Sequence, residues 1–241
     1  MRGLAIIMMI LFHLLYDLNY FGKYNLNLHS GFWLYFARAT ATIFILLVGI
    51  SLTLSFSRAK KMQMAREKLY LKYLKRGLNV FSWGLAITLM TWVFLREGFV
   101  VFGVLHLIGF SIILAYPFLK FRFWNLLMGI VFIAFGIYLK NFTFSFPWLM
   151  WLGLMPDHFY AVDYFPIFPW FGVILIGVFV GNLAYPDYTR KFNLCELSNS
   201  NFSFIRLFCF LGLHSLLIYL IHQPILIALL YLLGIVNIIL C

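Results

Sequence analysis

Charge is what this chain most lacks. Only 10% of its 241 residues are charged, and just 7 are Asp or Glu. A soluble domain is roughly a quarter charged, so the composition excludes an ordinary water-exposed globule. Cysteine is also scarce. Cys195, Cys209 and Cys241 are odd in number and have no zinc-ligand spacing, so neither a closed disulfide set nor a metal centre is expected. There is no phosphate-cradling glycine loop and no serine nucleophile elbow. No repeat period and no domain boundary interrupt residues 1–241, which read as a single domain. The first apolar run carries His13 and Asp17 and ends in no small-residue cleavage site, so it is not a cleavable leader.

Apolar and aromatic residues fill the space that charge leaves. They make up 64% and 21% of the chain. About 20 apolar residues cross the roughly 30 Å of a bilayer core as a helix. Apolar runs predict an all-α, polytopic membrane helix bundle of about seven spans. They lie at Gly3–Tyr20, Leu34–Phe56, Gly77–Leu95, Val104–Leu119, Trp124–Leu139, Phe165–Tyr185 and Leu211–Ile238. The last contains Pro224, where a kink is expected.

A formal charge of +11 could point to nucleic acid, but its placement points to a membrane. The segment Arg58 to Arg76 carries eight Lys or Arg and one acid, Glu67. The positive-inside rule puts it in the cytoplasm. Threading the spans from there places 14 of the 18 basic residues inside and 3 outside, with Arg38 inside a span. The N-terminus is then cytoplasmic and the C-terminus outside. A multi-pass protein of the cell membrane follows, with lipids as partners, no nucleic acid, and homodimerisation left open.

The titratable residues inside the runs are the candidates for chemistry. Arg2, His13 and Asp17 share one face of the first helix, by the 3.6-residue turn. Ionisable groups at such depth cost several kcal/mol and normally face a protein interior or a water-filled cavity. A carboxylate one turn from an imidazole can fix its tautomer and raise its basicity, as a general base or nucleophile requires. The plainer reading is an internal hydrogen-bonded pair. Arg38, at similar depth on the next span, is a rival partner for Asp17.

Elsewhere, His29 lies in the first outer loop, His106 opens the fourth span, and His214 and His222 lie on the last. The stretch Phe142 to Trp170 is aromatic, holds Pro147, Pro156, Pro166 and Pro169, and includes Asp163. Proline at that density opposes a regular helix, and such a segment lines or covers a cavity. Lys72, Lys75 and Arg76 belong to the basic segment. Its plain role is topology and anionic lipid, and its sharper one is docking of a phosphorylated cosubstrate. Gly177 and Gly181 form a small-xxx-small pattern suited to helix packing.

Together, several stretches resemble one family. RGLAIIMMILFHLLYDL (2–18), IFILLVGISL (43–52), FGVLHLIGFSIILAYPFL (102–119), DYFPIFPWFGV (163–173) and HSLLIYLIHQPIL (214–226) run in the order of the blocks of the heparan-alpha-glucosaminide N-acetyltransferase family, prokaryotic branch. They resemble more distantly the membrane O-acyltransferases of bacterial surface sugars. The resemblance implies transfer of an acetyl group from cytosolic acetyl-CoA to a sugar or glycolipid acceptor on the far side, with no metal. In the O-acyltransferases the catalytic His follows an Arg-Gly or Arg-Ala pair, which here leads to His13. In the lysosomal branch it lies in the first outer loop, where His29 matches. Relatives usually carry an acidic segment before the Arg-Gly pair, whereas Met1 here directly precedes Arg2.

On this reading His13 or His29 handles the acetyl group and Asp17 orients His13. Arg2, Arg38, Lys72, Lys75 and Arg76 hold coenzyme A. His106, Asp163, Trp170 and His222 line the acceptor side. The alternative is a transporter or flippase for a small or lipid-linked substrate without catalysis; the lack of two related halves counts against it.

Overall fold

The computed structural model describes all residues except Lys23, Asn25, His29, Arg96, 187–202 and 236–241. Among the described residues there are eight α-helices and no strand, only two isolated bridges. The helices are α1 (Arg2–Tyr20), α2 (Gly31–Lys61), α3 (Arg66–Leu95), α4 (Val104–Leu114), α5 (Trp124–Leu139), α6 (Ile167–Ala184), α7 (Ser203–Leu213) and α8 (Ser215–Leu232). Five of them, α1, α2, α3, α6 and α8, are long and apolar enough to cross a membrane.

The other two expected spans are short: α5 keeps its expected limits, and α4 ends earlier than expected. α4 has 11 residues and α5 has 16. At 1.5 Å per residue α4 is only about 16 Å long. It ends at Leu114 rather than Leu119 because Pro117 follows, with no N–H to extend the ladder and a ring that crowds the residue before it. A short 3₁₀ turn, Phe118–Lys120, carries the chain on to α5. The basic segment is also not a loop. Arg, Lys, Glu, Leu and Met are strong helix formers, so α2 runs on to Lys61 and α3 begins at Arg66, with a tight turn through Gln63 at φ 51°. The last span is interrupted at His214, so that α7 precedes α8. α8 continues through Pro224.

The chain forms two compact units. The first comprises Met1–Phe44 and Leu194–Cys241, and the second Ile45–Asn193. In the first, α1 packs against α7 and α8. Gly3 makes the α7 contact close: a Cβ there would strike the Phe208 carbonyl. The buried face of α1 includes Ile6, Met9 and Asp17, and that of α8 has His222, Leu226 and Leu230. Spacings of three and eight residues on α1 and of four on α8 keep each set on one helix stripe.

In the second unit α3 packs on α4 and α5 on α6. The expected role of Gly177 and Gly181 is met here. A Cβ on Gly177 would collide with Leu46 of α2, and one on Gly181 would lie 2.9 Å from Thr53. The loop after α3 is tied to the loop before α6: Val162 donates to the Gly98 carbonyl at 2.8 Å and Phe165 to the Phe102 carbonyl at 2.9 Å. Of the stretch Phe142 to Trp170, residues 142–166 form no regular α-helix, only a 3₁₀ turn at Met150–Leu152, while its last residues already belong to α6.

Candidate functional site

In the first unit α1 and α8 bring four polar side chains together. The rings of His13 and His222 meet edge to face, centroids 4.9 Å apart at 63°. One turn further along α1, Asp17 is fully buried. Its Oδ1 accepts a 2.6 Å hydrogen bond from Gln223 Nε2. His13 itself is half-buried and also touches the Phe12 ring.

His222 has a defined tautomer. Its Nδ1 lies 2.7 Å from the Tyr219 carbonyl oxygen. A carbonyl only accepts, so Nδ1 carries the hydrogen and Nε2 of the neutral ring keeps its lone pair. That Nε2 is buried without a partner among the described residues, as are Asp17 Oδ2 and Gln223 Oε1. Buried polar atoms are nearly always hydrogen-bonded, so each exception needs an explanation. Three acceptors left open on neighbouring side chains make a patch that would receive a hydrogen-bond donor.

Two expected pairings are absent. Asp17 makes no hydrogen bond to His13, since one oxygen accepts from Gln223 and the other has no partner among the described residues. It does not pair with Arg38 either, since Arg38 is exposed and Asp17 Oδ2 has no partner. Helical spacing made His13 and Asp17 neighbours along α1, but the nearest donor to the carboxylate sits on α8. His29 lies outside the described residues. Arg2 is half-buried at the start of α1, beside Gly212 of α7.

The second unit holds a different kind of His–Asp cluster. His106 is 2% exposed in the first turn of α4. Gly103 N–H donates to its Nδ1 at 3.2 Å, leaving Nε2–H for Thr88 Oγ1 at 3.4 Å. Thr88 in turn donates to the Val100 carbonyl at 2.7 Å. Phe81 and Phe102 pack on the ring, and Gly84 leaves room for it, since a Cβ there would lie 3.0 Å from Nδ1. Asp163 Oδ2 accepts from Val104 N–H at 3.1 Å. The two side chains thus satisfy successive donors at the start of α4, where a helix has no internal partners for them.

Burial pushes the Asp163 carboxyl up to about 6, against the pull of the Val104 bond. Burial likewise raises the Tyr164 phenol to about 12, and its hydroxyl donates to the Met150 carbonyl at 2.6 Å. Both ring nitrogens of His106 are thus engaged, Nδ1 at the start of α4 and Nε2 on Thr88 of α3. Trp170 is half-buried in the first turn of α6 against Phe165, at 4.9 Å.

The basic hairpin of the second unit has an open groove of about 380 Å³, lined by Leu54, Ser55, Arg58, Met62, Met64 and Lys72 among others. Lys75 and Arg76 are exposed one turn beyond. Of the four residues in the α1–α8 cluster, sequence reasoning missed Gln223. A polar side chain next to a buried His in an apolar helix was the available signal.

Apolar helices of spanning length with titratable side chains on their packed faces define an integral membrane protein. The chain belongs to the heparan-alpha-glucosaminide N-acetyltransferase catalytic family, whose model matches residues 1–224. That family is one of membrane acetyltransferases. Comparison with curated proteins and with solved structures found no match.

Proposed function

We propose that this protein moves an acetyl group from cytosolic acetyl-CoA to the amine or hydroxyl of a sugar or glycoconjugate on the other side of the cell membrane. The carrying observation is the α1–α8 cluster. It offers an imidazole, His13, beside three buried acceptor atoms with no partner among the described residues. Family membership supplies the reaction type. The bias of basic residues toward one side supports cytosolic entry of the donor.

In this reading His13 is the general base that takes the proton of the attacking amine or hydroxyl. The guanidinium and ammonium groups of Arg2, Lys72, Lys75 and Arg76 neutralise coenzyme A phosphates, and Arg38 supplies further positive charge. Asp17 and Gln223 receive donor groups of the acceptor. Asp163, in the loop before α6, and Trp170, in the first turn of α6, belong to the acceptor side.

The test is acetyl transfer by purified protein in lipid vesicles, read as coenzyme A release from labelled acetyl-CoA with amino-sugar or sugar acceptors. His13→Ala is expected to lower turnover by at least about 100-fold at unchanged protein level. Activity that survives His13→Ala but is lost with His29→Ala would move the assignment to His29. A wild-type protein that binds no coenzyme A at millimolar concentration overturns the enzyme reading in favour of transport.

A further inference from the structure

Asp17 makes no hydrogen bond to His13: one carboxylate oxygen accepts from Gln223 and the other has no partner among the described residues. The side chain in contact with the His13 ring is His222. Its Nδ1–H is spent on the Tyr219 carbonyl at 2.7 Å, within its own helix. Its Nε2 therefore points away as a lone pair, buried and unpartnered among the described residues. A buried imidazole lone pair needs an N–H, and the His13 ring, in edge-to-face contact with His222, is a neighbour that can give one.

Distances agree. In an N–H···N bond of about 3 Å between two imidazoles, with each nitrogen about 1 Å from its ring centre, the centroids lie about 5 Å apart. The observed separation is 4.9 Å. The bond is not formed as the rings stand, since His222 Nε2 has no partner among the described residues. A turn of the His13 ring about χ2, a soft torsion for histidine, closes it. On α1 Asp17 is bound by Gln223, and Arg206 of α7 and Arg38 of α2 are exposed.

We infer that His222 is the positioning residue for His13: its Nε2 accepts an N–H from His13, so that the other ring nitrogen of His13 holds the lone pair that meets the acceptor. This rests on the acetyltransferase reading above and assigns within it the part usually played by a carboxylate. The step balances. The proton of the acceptor N–H or O–H passes to the free nitrogen of His13. The acceptor heteroatom bonds to the acetyl carbonyl carbon and the C–S bond to coenzyme A breaks. His13 then returns the proton to the departing thiolate. While His13 is an imidazolium, the His222 lone pair stabilises it through the shared N–H.

The inference is tested by exchanging shape for lone pair. His222→Phe keeps a flat ring but has no acceptor. His222→Gln loses the ring but puts an amide oxygen near the place of Nε2. We expect His222→Phe to lower kcat about 100-fold with KM within about twofold, and His222→Gln to recover at least tenfold of that loss. The reverse order, Phe tolerated and Gln inactive, would mean that His222 only fills space, and overturns the proposal.

A second measurement does not depend on turnover. With ring-¹⁵N histidine in bilayers, His13 is expected in one tautomer in the wild type and in a mixture in His222→Phe. A mixture already present in the wild type, or no change on substitution, overturns it as well. A wild type that turns over no acetyl-CoA but shows the single tautomer retains the pair and removes only the acetyltransferase reading.

Discussion

The two histidine–aspartate clusters of this protein use the same residue types to opposite ends. In the second unit His106 and Asp163 have hydrogen-bond partners where the helix needs them: Gly103 and Val104 donate, and Thr88 takes the remaining ring nitrogen. In the first unit His222, Asp17 and Gln223 each retain a buried atom with no partner among the described residues. Satisfied networks rigidify a fold. Unsatisfied acceptors are a standing cost of about 1–3 kcal/mol apiece, tolerated where a ligand or a moving proton meets them. Burial and titratable chemistry alone do not separate the clusters; hydrogen-bond accounting does.

That contrast can be broken by mutation. Its largest expected effect is the loss of turnover in His13→Ala and His222→Phe described above, at unchanged melting temperature. Gln223→Leu comes next. It removes a hydrogen bond from a fully buried carboxylate, so a stability loss of about 1–3 kcal/mol is expected, together with lower turnover. Calorimetry in detergent and the acetyl-transfer assay check the two halves. Full activity and full stability in this variant would make the cluster incidental.

His106→Leu is the mirror case. It unpairs the Gly103 N–H and the Thr88 hydroxyl, and is expected to cost about 2 kcal/mol. Turnover per folded molecule should be unchanged. An equal fall of stability-corrected activity in His106 and His222 variants would erase the distinction between the clusters.

The smallest effect concerns pH. The Asp163 carboxyl titrates at about 6 in the fold against 3.8 as an ordinary group. A raised carboxyl means that the folded state binds the proton more tightly than the unfolded one. Stability from this group is therefore greatest below the ordinary value and declines as pH rises to about 6. The apparent melting temperature should fall slightly over that window, and Asp163→Asn should flatten the slope. A wild-type curve that rises there would reverse the sign assigned to Asp163.

Much of the fold was legible because spanning helices are written in composition. α1 begins and ends within a residue of its expected limits, since an uninterrupted apolar run leaves the backbone no better way to satisfy its polar groups in hydrocarbon. The expected limits failed where other forces act. Helix propensity carried α2 and α3 through the basic segment, Pro117 stopped α4 early, and α7 starts at Ser203, ahead of the expected start of the last span at Leu211. The site was legible by element but not by pairing. His13, Asp17 and His222 were all singled out, yet Asp17 was assigned to His13 or Arg38 and is bound by Gln223.

What the sequence determined by itself is a helical membrane protein of the acetyltransferase family with ionisable groups on one face of its first helix. Spacing of 3.6 residues per turn is a local property, so it fixes which residues share a face. What only the tertiary structure decided is which of those groups meet. Asp17 and Gln223 lie 206 positions apart in the chain, and the register of α8 against α1 is set by the packing of their apolar stripes. That register gives the carboxylate to Gln223, leaves the imidazole of His13 to His222, and assigns His106, the same residue type in a satisfied pocket, to holding a helix end.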